Sequence, residues 1–181
     1  MHKLEKWDKK GKVSVFIDKT PVIRLRSITP TTTKDEVISI NKYPLKNCRT
    51  LNITVFYHLK NKKYEFSIPK GFCFDGATIP PALWAVIGSN TDNKFATAAL
   101  IHDWICQHHE CIDYDRYLST LIFDVCLECA GVNKVKRWLM KHAVDNWQKL
   151  QNWKCGSGVA QPHGLPSTVK NNSATGENKN A

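Results

Sequence analysis

The most constraining feature of this sequence is a histidine–aspartate pair inside an apolar helical segment. Residues 93–108 place apolar side chains at helical spacing, and this stripe includes His102, with Asp103 next to it. A buried polar group costs free energy unless a hydrogen bond or an opposite charge satisfies it. We therefore expect His102 to lie on the buried face of a helix and to meet partners from other elements.

A third polar residue, Asp75, precedes this helix in a glycine-containing turn. The turn leads to Thr78 and two prolines, a combination typical of a helix start, and Gly88 would end that short helix. Asp75 could orient His102, or it could bind a metal together with Asp103, because hard cations prefer several oxygen ligands. It could equally form an Asx turn or cap the helix.

The sequence predicts different roles for His102 and Asp103. Neighbouring residues on a helix point about 100° apart, so we expect no direct side-by-side pair. His102 would act as a general base or a ligand, because it titrates near neutrality, and a carboxylate from another element would orient its ring. Asp103 would lie at the edge of the same cavity. The alternative is a satisfied core histidine beside a surface aspartate.

A zinc site is a third interpretation of the same helix. His102, Cys106 and His109 occupy positions i, i+4 and i+7 on one helical face. Cys111, Cys126 and Cys129 lie further along the chain. Against zinc, Cys126 and Cys129 lie in mid-helix, and cysteine is often simply a small buried residue. No P-loop, dinucleotide-binding, Gly-x-Ser-x-Gly or His-Glu-x-x-His motif is present, so those enzyme classes lose their main support.

The remaining patterns predict an α+β fold, with an N-terminal antiparallel β-sheet packed against about four C-terminal α-helices. Short β-branched runs at 12–17 and 21–28, a weaker strand near 37–40 and a hairpin at 50–68 would form the sheet. In the first hairpin strand one face is apolar at every second position, through Leu51, Ile53, Val55 and Tyr57.

Three longer helices are predicted after the short one, at about 93–108, 113–130 and 133–153, with Gly131 ending the second. The last carries Val135, Trp138, Leu139, His142, Ala143, Trp147 and Leu150. We predict one domain over residues 1–154, with a basic β-rich part at 1–68 and a helical part at 78–154. Residues 155–181 are polar and glycine-containing, which predicts a disordered tail.

Positive charge is concentrated in the N-terminal third. Residues 1–63 contain 15 Lys or Arg and 5 Asp or Glu, whereas residues 64–181 contain 11 of each kind. This basic N-terminal face could meet an anionic partner such as nucleic acid, a membrane surface or an acidic protein. The alternative is a soluble, lysine-rich sheet face. Aromatic residues are not regularly interleaved with the charges, so no platform for stacking bases is visible.

The sequence carries no sign of export or of a membrane span. The charged N-terminus has no apolar signal-peptide core, and no window of about 18 uninterrupted apolar residues exists. The cysteines number seven, an odd number that fits reduced thiols in a cytosol. We therefore expect a cytoplasmic protein.

A set of short motifs extends over roughly residues 50–148. It consists of Ile-Pro-x-Gly-Phe at 68–72, Asp-Gly-Ala-Thr-Ile-Pro at 75–80, Trp84, Ala-Ala-Leu-Ile-His-Asp at 98–103, Phe123, Gly131-Val132, Met140 and Ala143-Val144. These motifs resemble a family of small phage and prophage proteins called domain of unknown function 1353. The resemblance implies a protein of the host-cell cytoplasm or one associated with the virion, acting on an unidentified host or phage component.

Two positions depart from the family pattern. Thr120 stands where the family usually carries an aspartate, and Pro81 stands where a basic residue is common. Asp124 lies one helical turn beyond Thr120 and on the same face. It could therefore replace the missing carboxylate.

A more distant likeness is to bacterial phospholipase A2 enzymes, which place an Asp-Gly-x-Ser/Thr-x-Pro turn before a helix that bears His-Asp. By that likeness His102 is the general base, Asp103 is a calcium ligand, and Asp75 or Asp124 orients the ring. The leading hypothesis is a phage-encoded, hydrolase-like protein that uses Asp75, His102 and Asp103, with calcium or zinc as the divalent cation. The alternative is a non-catalytic accessory or virion-associated module that binds through the basic N-terminal face.

The composition of the tail generates a simple prediction. Removal of residues 156–181 should change the free energy of unfolding by less than about 0.5 kcal/mol, because the segment has almost no apolar surface to bury. Thermal or urea unfolding of the truncated and full-length proteins measures the difference. A large fall in stability would mean that the tail docks on the domain.

Overall fold

The computed structural model describes residues 5–9, 12–76, 93–112 and 116–150. The strands are β1 (Glu5–Lys9), β2 (Val13–Ile17), β3 (Ile23–Leu25), β4 (Leu45–Asn47), β5 (Leu51–Tyr57), β6 (Lys62–Ile68) and β7 (Cys73–Phe74). The helices are α1 (Lys34–Lys42), α2 (Asn93–Ile112), α3 (Arg116–Cys129) and α4 (Lys134–Leu150). The predicted short helix between Thr78 and Gly88 and the predicted tail lie outside these residues.

The strands form two antiparallel sheets where the sequence predicted one. The first has four strands in the order β1-β2-β5-β6, and the second has three in the order β3-β4-β7. The predicted hairpin is confirmed, with Leu51 paired with Ile68 and Tyr57 paired with Lys62. A short 3₁₀ turn, His58–Lys60, joins its strands. The predicted strand at 21–28 shortens to the three residues of β3.

The first sheet buries one face against the helices. In β5 the side chains at alternate positions are buried, as the period of two predicted. Tyr64, Phe66 and Ile68 of β6 continue the same core. Helix α3 packs on β1 and β2, α2 packs on β6 and β7, and α4 packs on α3. The predicted α+β class is confirmed.

The predicted strand near residues 37–40 is wrong, because this segment lies in α1. Thr33 caps the helix: its hydroxyl accepts a hydrogen bond from the N–H of Glu36, whose carboxylate in turn accepts one from the N–H of Thr33. This capping box, with Asp35 and Glu36 in the first turn, favours a helix over the strand that the β-branched residues suggested. Of the helix residues only Ile40 is buried.

Helix α4 buries a different face from the one that its aromatic residues suggest. Met140, Val144 and Gln148, spaced four residues apart, are its buried side chains. The larger apolar residues of α4 are exposed, among them Val135, Trp138, Trp147 and Leu150. A polar residue, Gln148, therefore occupies a core position.

The ends of the helices follow local signals. Gly131 adopts φ +73° and ends α3, as predicted, while the N–H of Val132 bonds back to the carbonyl of Leu127. In the described ranges, no helix has the length and apolar character needed to cross a membrane.

The capping box of α1 can be tested by substitution. Thr33→Ala should lower the free energy of unfolding by about 1 kcal/mol, because the N–H of Glu36 loses its acceptor. Glu36→Gln is the matched control, since glutamine also completes a capping box. Urea denaturation of the three proteins measures the effect. An equal loss in both variants would contradict the capping role of Thr33.

Candidate functional site

Asp75 is positioned by β7 and by the turn that follows it. Phe74, the last residue of β7, is completely buried, and Phe72 meets Trp104 of α2 edge-on at 5.1 Å between ring centroids. Gly76 takes φ +92°, a backbone conformation that residues with a Cβ rarely adopt. In this position the side chain of Asp75 and the backbone N–H groups of Asp75 and Gly76 form hydrogen bonds with the Asp103 carboxyl.

His102 lies on the buried face of α2, as the helical spacing predicts. The side chain is 6% exposed and Asp103 is 8% exposed, so Asp103 is no surface aspartate. The expectation that these neighbours make no direct contact is wrong, because Nδ1 of His102 lies 3.4 Å from Oδ1 of Asp103. Both side chains turn toward the same edge of the helix. The Phe123 ring of α3 packs on the imidazole, with 5.2 Å between ring centroids.

The imidazole is held on its other side by Gln148 of α4. The amide nitrogen of Gln148 lies 2.8 Å from Nε2 of His102 and 3.0 Å from the Ser119 hydroxyl. The amide oxygen accepts a hydrogen bond from the Thr120 hydroxyl at 3.2 Å. One buried side chain thus joins α2, α3 and α4.

This arrangement defines the protonation of the imidazole. Because the amide N–H of Gln148 donates to Nε2, that nitrogen carries no proton, and Nδ1 is the N–H. Nδ1 faces the carboxylate of Asp103. A carboxylate next to Nδ1–H and a donor at Nε2 fix both the tautomer and the orientation of the ring.

Cys106 packs on the face of the imidazole. Its Sγ lies 3.4 Å from Nε2 and 3.7 Å from Nδ1 of His102. A thiol in the plane of the ring, along the Nε2 lone pair, would be much farther from Nδ1 than from Nε2. The contact is therefore one of sulfur with the ring face, and it does not form the in-plane pair of a cysteine nucleophile with its base.

Asp75 and Asp103 form an interacting carboxyl pair. Burial, together with the neighbouring Asp103 carboxyl, raises the pKa of Asp75 to about 8. Burial raises the pKa of Asp103 to about 7. Hydrogen bonds from the Asp75 side chain and from the N–H groups of Asp75 and Gly76 act in the opposite direction and lower that pKa. The hydrogen bond between the carboxyls favours a proton on Asp75, which donates it to Asp103.

His102 experiences opposing influences on its protonation. Burial lowers the pKa of His102, but the contact with Cys106 and the Asp75 carboxyl in its ionised form outweigh burial and raise that pKa overall. The imidazole and the two carboxyls therefore form one coupled set of titrating groups.

Asp124 lies on the same face of α3 as Thr120, as expected, but that face looks toward α4. Its carboxylate is buried and lies 3.8 Å from Arg137 and 4.0 Å from Lys141. The group that holds the His102 ring is the amide of Gln148, supported by Thr120. The predicted ring-orienting role of Asp124 is thus taken by an uncharged residue.

The described residues fit a calcium site better than a zinc site. Oδ2 of Asp103 is buried without a hydrogen-bond partner, and it lies next to a second carboxyl, so this pair supplies oxygen ligands of the kind that calcium prefers. For zinc, Gln148 occupies Nε2 of His102, while Cys126 is buried and Cys129 is exposed. Among the side chains that the structure describes, no three His, Cys, Asp or Glu converge as a metal site.

Sequence reasoning missed Gln148 and Ser119. The signal for Gln148 is its spacing of four residues from Val144 and eight from Met140, which places a polar residue in the buried row of α4. Ser119 carries no comparable signal, because small polar residues are common on both faces of helices.

Replacement of Gln148 tests whether the amide holds the three helices together. Gln148→Leu should lower the free energy of unfolding by about 2–3 kcal/mol, because Nε2 of His102 and the hydroxyl of Ser119 stay buried without the amide that bonds them. Asn146→Leu on the exposed face of α4 is the control and should change stability by less than about 0.5 kcal/mol. Urea denaturation distinguishes them. Equal stabilities for the two variants would contradict the role of the amide.

The carboxyl pair predicts how stability depends on pH. Both pKa values are raised above the ordinary value of 3.8, so the folded protein binds more protons than the unfolded chain. The free energy of unfolding should therefore fall as the pH rises from about 4 to about 8. Asp103→Asn should remove much of this fall and should be more stable than the wild type at pH 8.5 by roughly 2–4 kcal/mol.

Chemical denaturation at pH 5 and pH 8.5 measures this effect. Asp35→Asn, on the exposed surface of α1, is the control and should keep the wild-type slope. A wild-type protein whose stability rises between pH 5 and pH 8.5, with no change on Asp103→Asn, would contradict the proton-sharing pair.

Comparison with known proteins finds one matching family model and two relatives. The family model described as a protein of unknown function (DUF1353) matches residues 50–144. Uncharacterized protein y4iH of Sinorhizobium fredii strain NGR234 is 36% identical over 70 residues, which is 39% of this chain and 28% of y4iH. Uncharacterized protein y4jT of the same strain is 35% identical over 43 residues, 24% of this chain and 13% of y4jT.

The chain thus covers less than a third of the length of either relative. No solved structure shows significant similarity to it. The family match, by contrast, takes in more than half of the chain and contains Asp75, His102, Asp103 and Asp124. The chain therefore belongs to the DUF1353 family of proteins of unknown function.

Proposed function

We propose that this chain is a hydrolase-like protein of phage or prophage origin whose acid–base site is formed by Asp75, Asp103 and His102. The observation that carries the proposal is one connected path of polar contacts. It runs from the amide of Gln148 through the imidazole of His102 to Asp103, and from there to Asp75. Asp75 is its partly exposed end, so substrate or water would meet that residue.

The cost of the carboxyl pair supports a functional role. Two carboxyl groups placed together in a buried site disfavour each other's ionised form, and burial adds a desolvation penalty. The fold gains no stability from such a pair at neutral pH, whereas an apolar pair of similar size would pack there without that penalty. Titrating groups held in this way are typical of sites that transfer protons.

The proposed chemistry begins with the proton on Asp75. At neutral pH its carboxyl would donate this proton to the leaving group of a substrate, and the resulting carboxylate would take a proton from the attacking water. Asp103 and His102 would hold Asp75 in place and set its proton affinity. They act through Asp75, so we assign them positioning roles. Asp124 has no part in this proposal.

A divalent cation fits the same two carboxylates when they are ionised. Asp75 and Asp103 would then hold a hard cation such as calcium, whose contribution would be to polarise a substrate oxygen. Protons and the cation would compete for the pair, so binding would strengthen as the pH rises. The phage or prophage origin, and a place in the host cytoplasm or the virion, rest on the family resemblance.

A hydrolysis screen tests the proposal. We expect the wild type to hydrolyse at least one class within a panel of chromogenic carboxylic esters, phosphodiesters and phospholipids. Asp75→Asn should reduce the rate by at least about a hundredfold, as loss of an acid–base group does. Asp35→Asn should keep the wild-type rate. Circular dichroism and chemical denaturation confirm that each variant is folded, so that loss of activity is not loss of fold.

Calcium titration tests the proposed site without a substrate. Calcium should raise the melting temperature of the wild type at pH 8.5 more than at pH 5.5, and it should not stabilise Asp103→Asn. A folded Asp75→Asn protein with wild-type hydrolytic activity would make the proposal wrong. A wild type with no hydrolytic activity in the panel and no response to calcium would also overturn it.

A further inference from the structure

A second region of the molecule gathers positive charge into a pocket. It lies at the three-stranded second sheet, whose strands come from the N-terminal half of the chain. This basic pocket has a volume of about 700 Å³ and lies among β3, α1, β4 and the turn after β6. Five cationic side chains line it: Arg24, Arg26, Lys46, Arg49 and Lys70. Among the lining residues that the structure describes, Glu36 is the one acidic residue, and its carboxylate already bonds Thr33 in the capping box.

One of the cations is held in place before any ligand binds. Arg26 donates from Nη1 to the Ser39 hydroxyl and to the carbonyl of Tyr43, both at 3.1 Å, and is partly buried. A guanidinium has five N–H donors, so others remain for a ligand. Arginines fixed in this way recognise phosphate groups with paired hydrogen bonds.

A buried residue fixes the turns that carry two of the cations. Asn47 is completely buried, and its amide nitrogen donates to the carbonyls of Arg49 at 2.6 Å and Pro69 at 3.2 Å. These hydrogen bonds tie the segments of Arg49 and Lys70 to β4, so the cations on them are positioned by the fold.

We infer that the basic pocket binds a small, multiply charged phosphate compound, such as inorganic tripolyphosphate or the triphosphate group of a nucleoside triphosphate. The lining cations match several negative charges. The volume lies in the range of small-molecule sites. This inference is independent of the proposed hydrolytic site.

The arrangement favours a compact ligand over a nucleic-acid strand. A strand is bound by cations that follow its backbone and by aromatic side chains on which bases stack. Here the cations come from separate chain segments and converge on one pocket, and the described part of its lining contains no aromatic residue. The three lysines of the first-sheet hairpin, Lys60, Lys62 and Lys63, lie outside the pocket lining.

Calorimetric titration with three probes tests the inference at about 0.15 M salt, where weak surface attraction is screened. The probes are ATP, inorganic tripolyphosphate and a 12-nucleotide single-stranded DNA. ATP and tripolyphosphate should both bind, and both should bind more tightly than the oligonucleotide, because the cations converge on one pocket and do not follow a strand.

Two matched double variants distinguish binding in the pocket from general attraction to positive charge on the surface. Arg24→Ala with Arg49→Ala should weaken ATP binding at least about tenfold, because it removes two phosphate-binding guanidiniums. Lys60→Ala with Lys62→Ala removes the same charge outside the pocket and should change affinity less than about twofold. Circular dichroism checks that both are folded. Equal weakening in the two variants, no binding of ATP, or tighter binding of the oligonucleotide would each overturn the inference.

Discussion

The packing of the helices depends on the side-chain amide of Gln148. It is 4% exposed, yet it meets polar groups on two other helices, donating to His102 and Ser119 and accepting from Thr120. A half-satisfied polar network in a core is worse than an apolar core, so each of these groups has value only while the others are present. The relative positions of α2, α3 and α4 are therefore specified by hydrogen-bond geometry as well as by apolar packing.

This network also determines what the polar residues of α2 can do. With Nε2 of His102 occupied by Gln148, the remaining ring nitrogen faces Asp103. An aspartate at position 120 would bring a negative charge toward Gln148 and the imidazole, whereas Thr120 reaches Gln148 with a neutral hydroxyl. With threonine at this position, the carboxyl groups of Asp103 and Asp75 lie together on the other side of the ring, next to Nδ1.

The sequence predicted the parts of this structure in which one periodic pattern dominates. Alternation through Leu51–Tyr57 identified the central strand, and helical spacing placed His102 on the buried side of α2. The prediction failed where two signals competed. Around residues 37–40, the β-branched side chains predicted a strand, whereas the capping box of Thr33 and Glu36 begins a helix there. In α4, the tryptophans suggested the wrong buried face, because the buried side chains are Met140, Val144 and Gln148.

Most of the candidate site could not be predicted because its members come from distant elements. Nothing in the spacing of the sequence relates Gln148 to His102, which lies 46 residues earlier. The direction in which Asp124 points depends on the cations of α4, Arg137 and Lys141, rather than on its own helix. Periodicity assigns a side chain to a face, but the partner that covers the face is set by how the helices cross.

The short second sheet brings part of the basic pocket and Asp75 onto neighbouring strands. Lys46 and Asn47 of the basic pocket belong to β4, which pairs with β7 through Lys46–Cys73 and Leu45–Phe74. Asp75 follows directly after β7, yet the charges that act on it are those of Asp103, which raises its pKa, and His102, which lowers it. A lysine or arginine beside the Asp75 carboxyl would favour the ionised carboxylate and lower its pKa by about one unit or more. The raised pKa of Asp75 therefore fits a fold in which Lys46, although it lies on the neighbouring strand, lines the basic pocket.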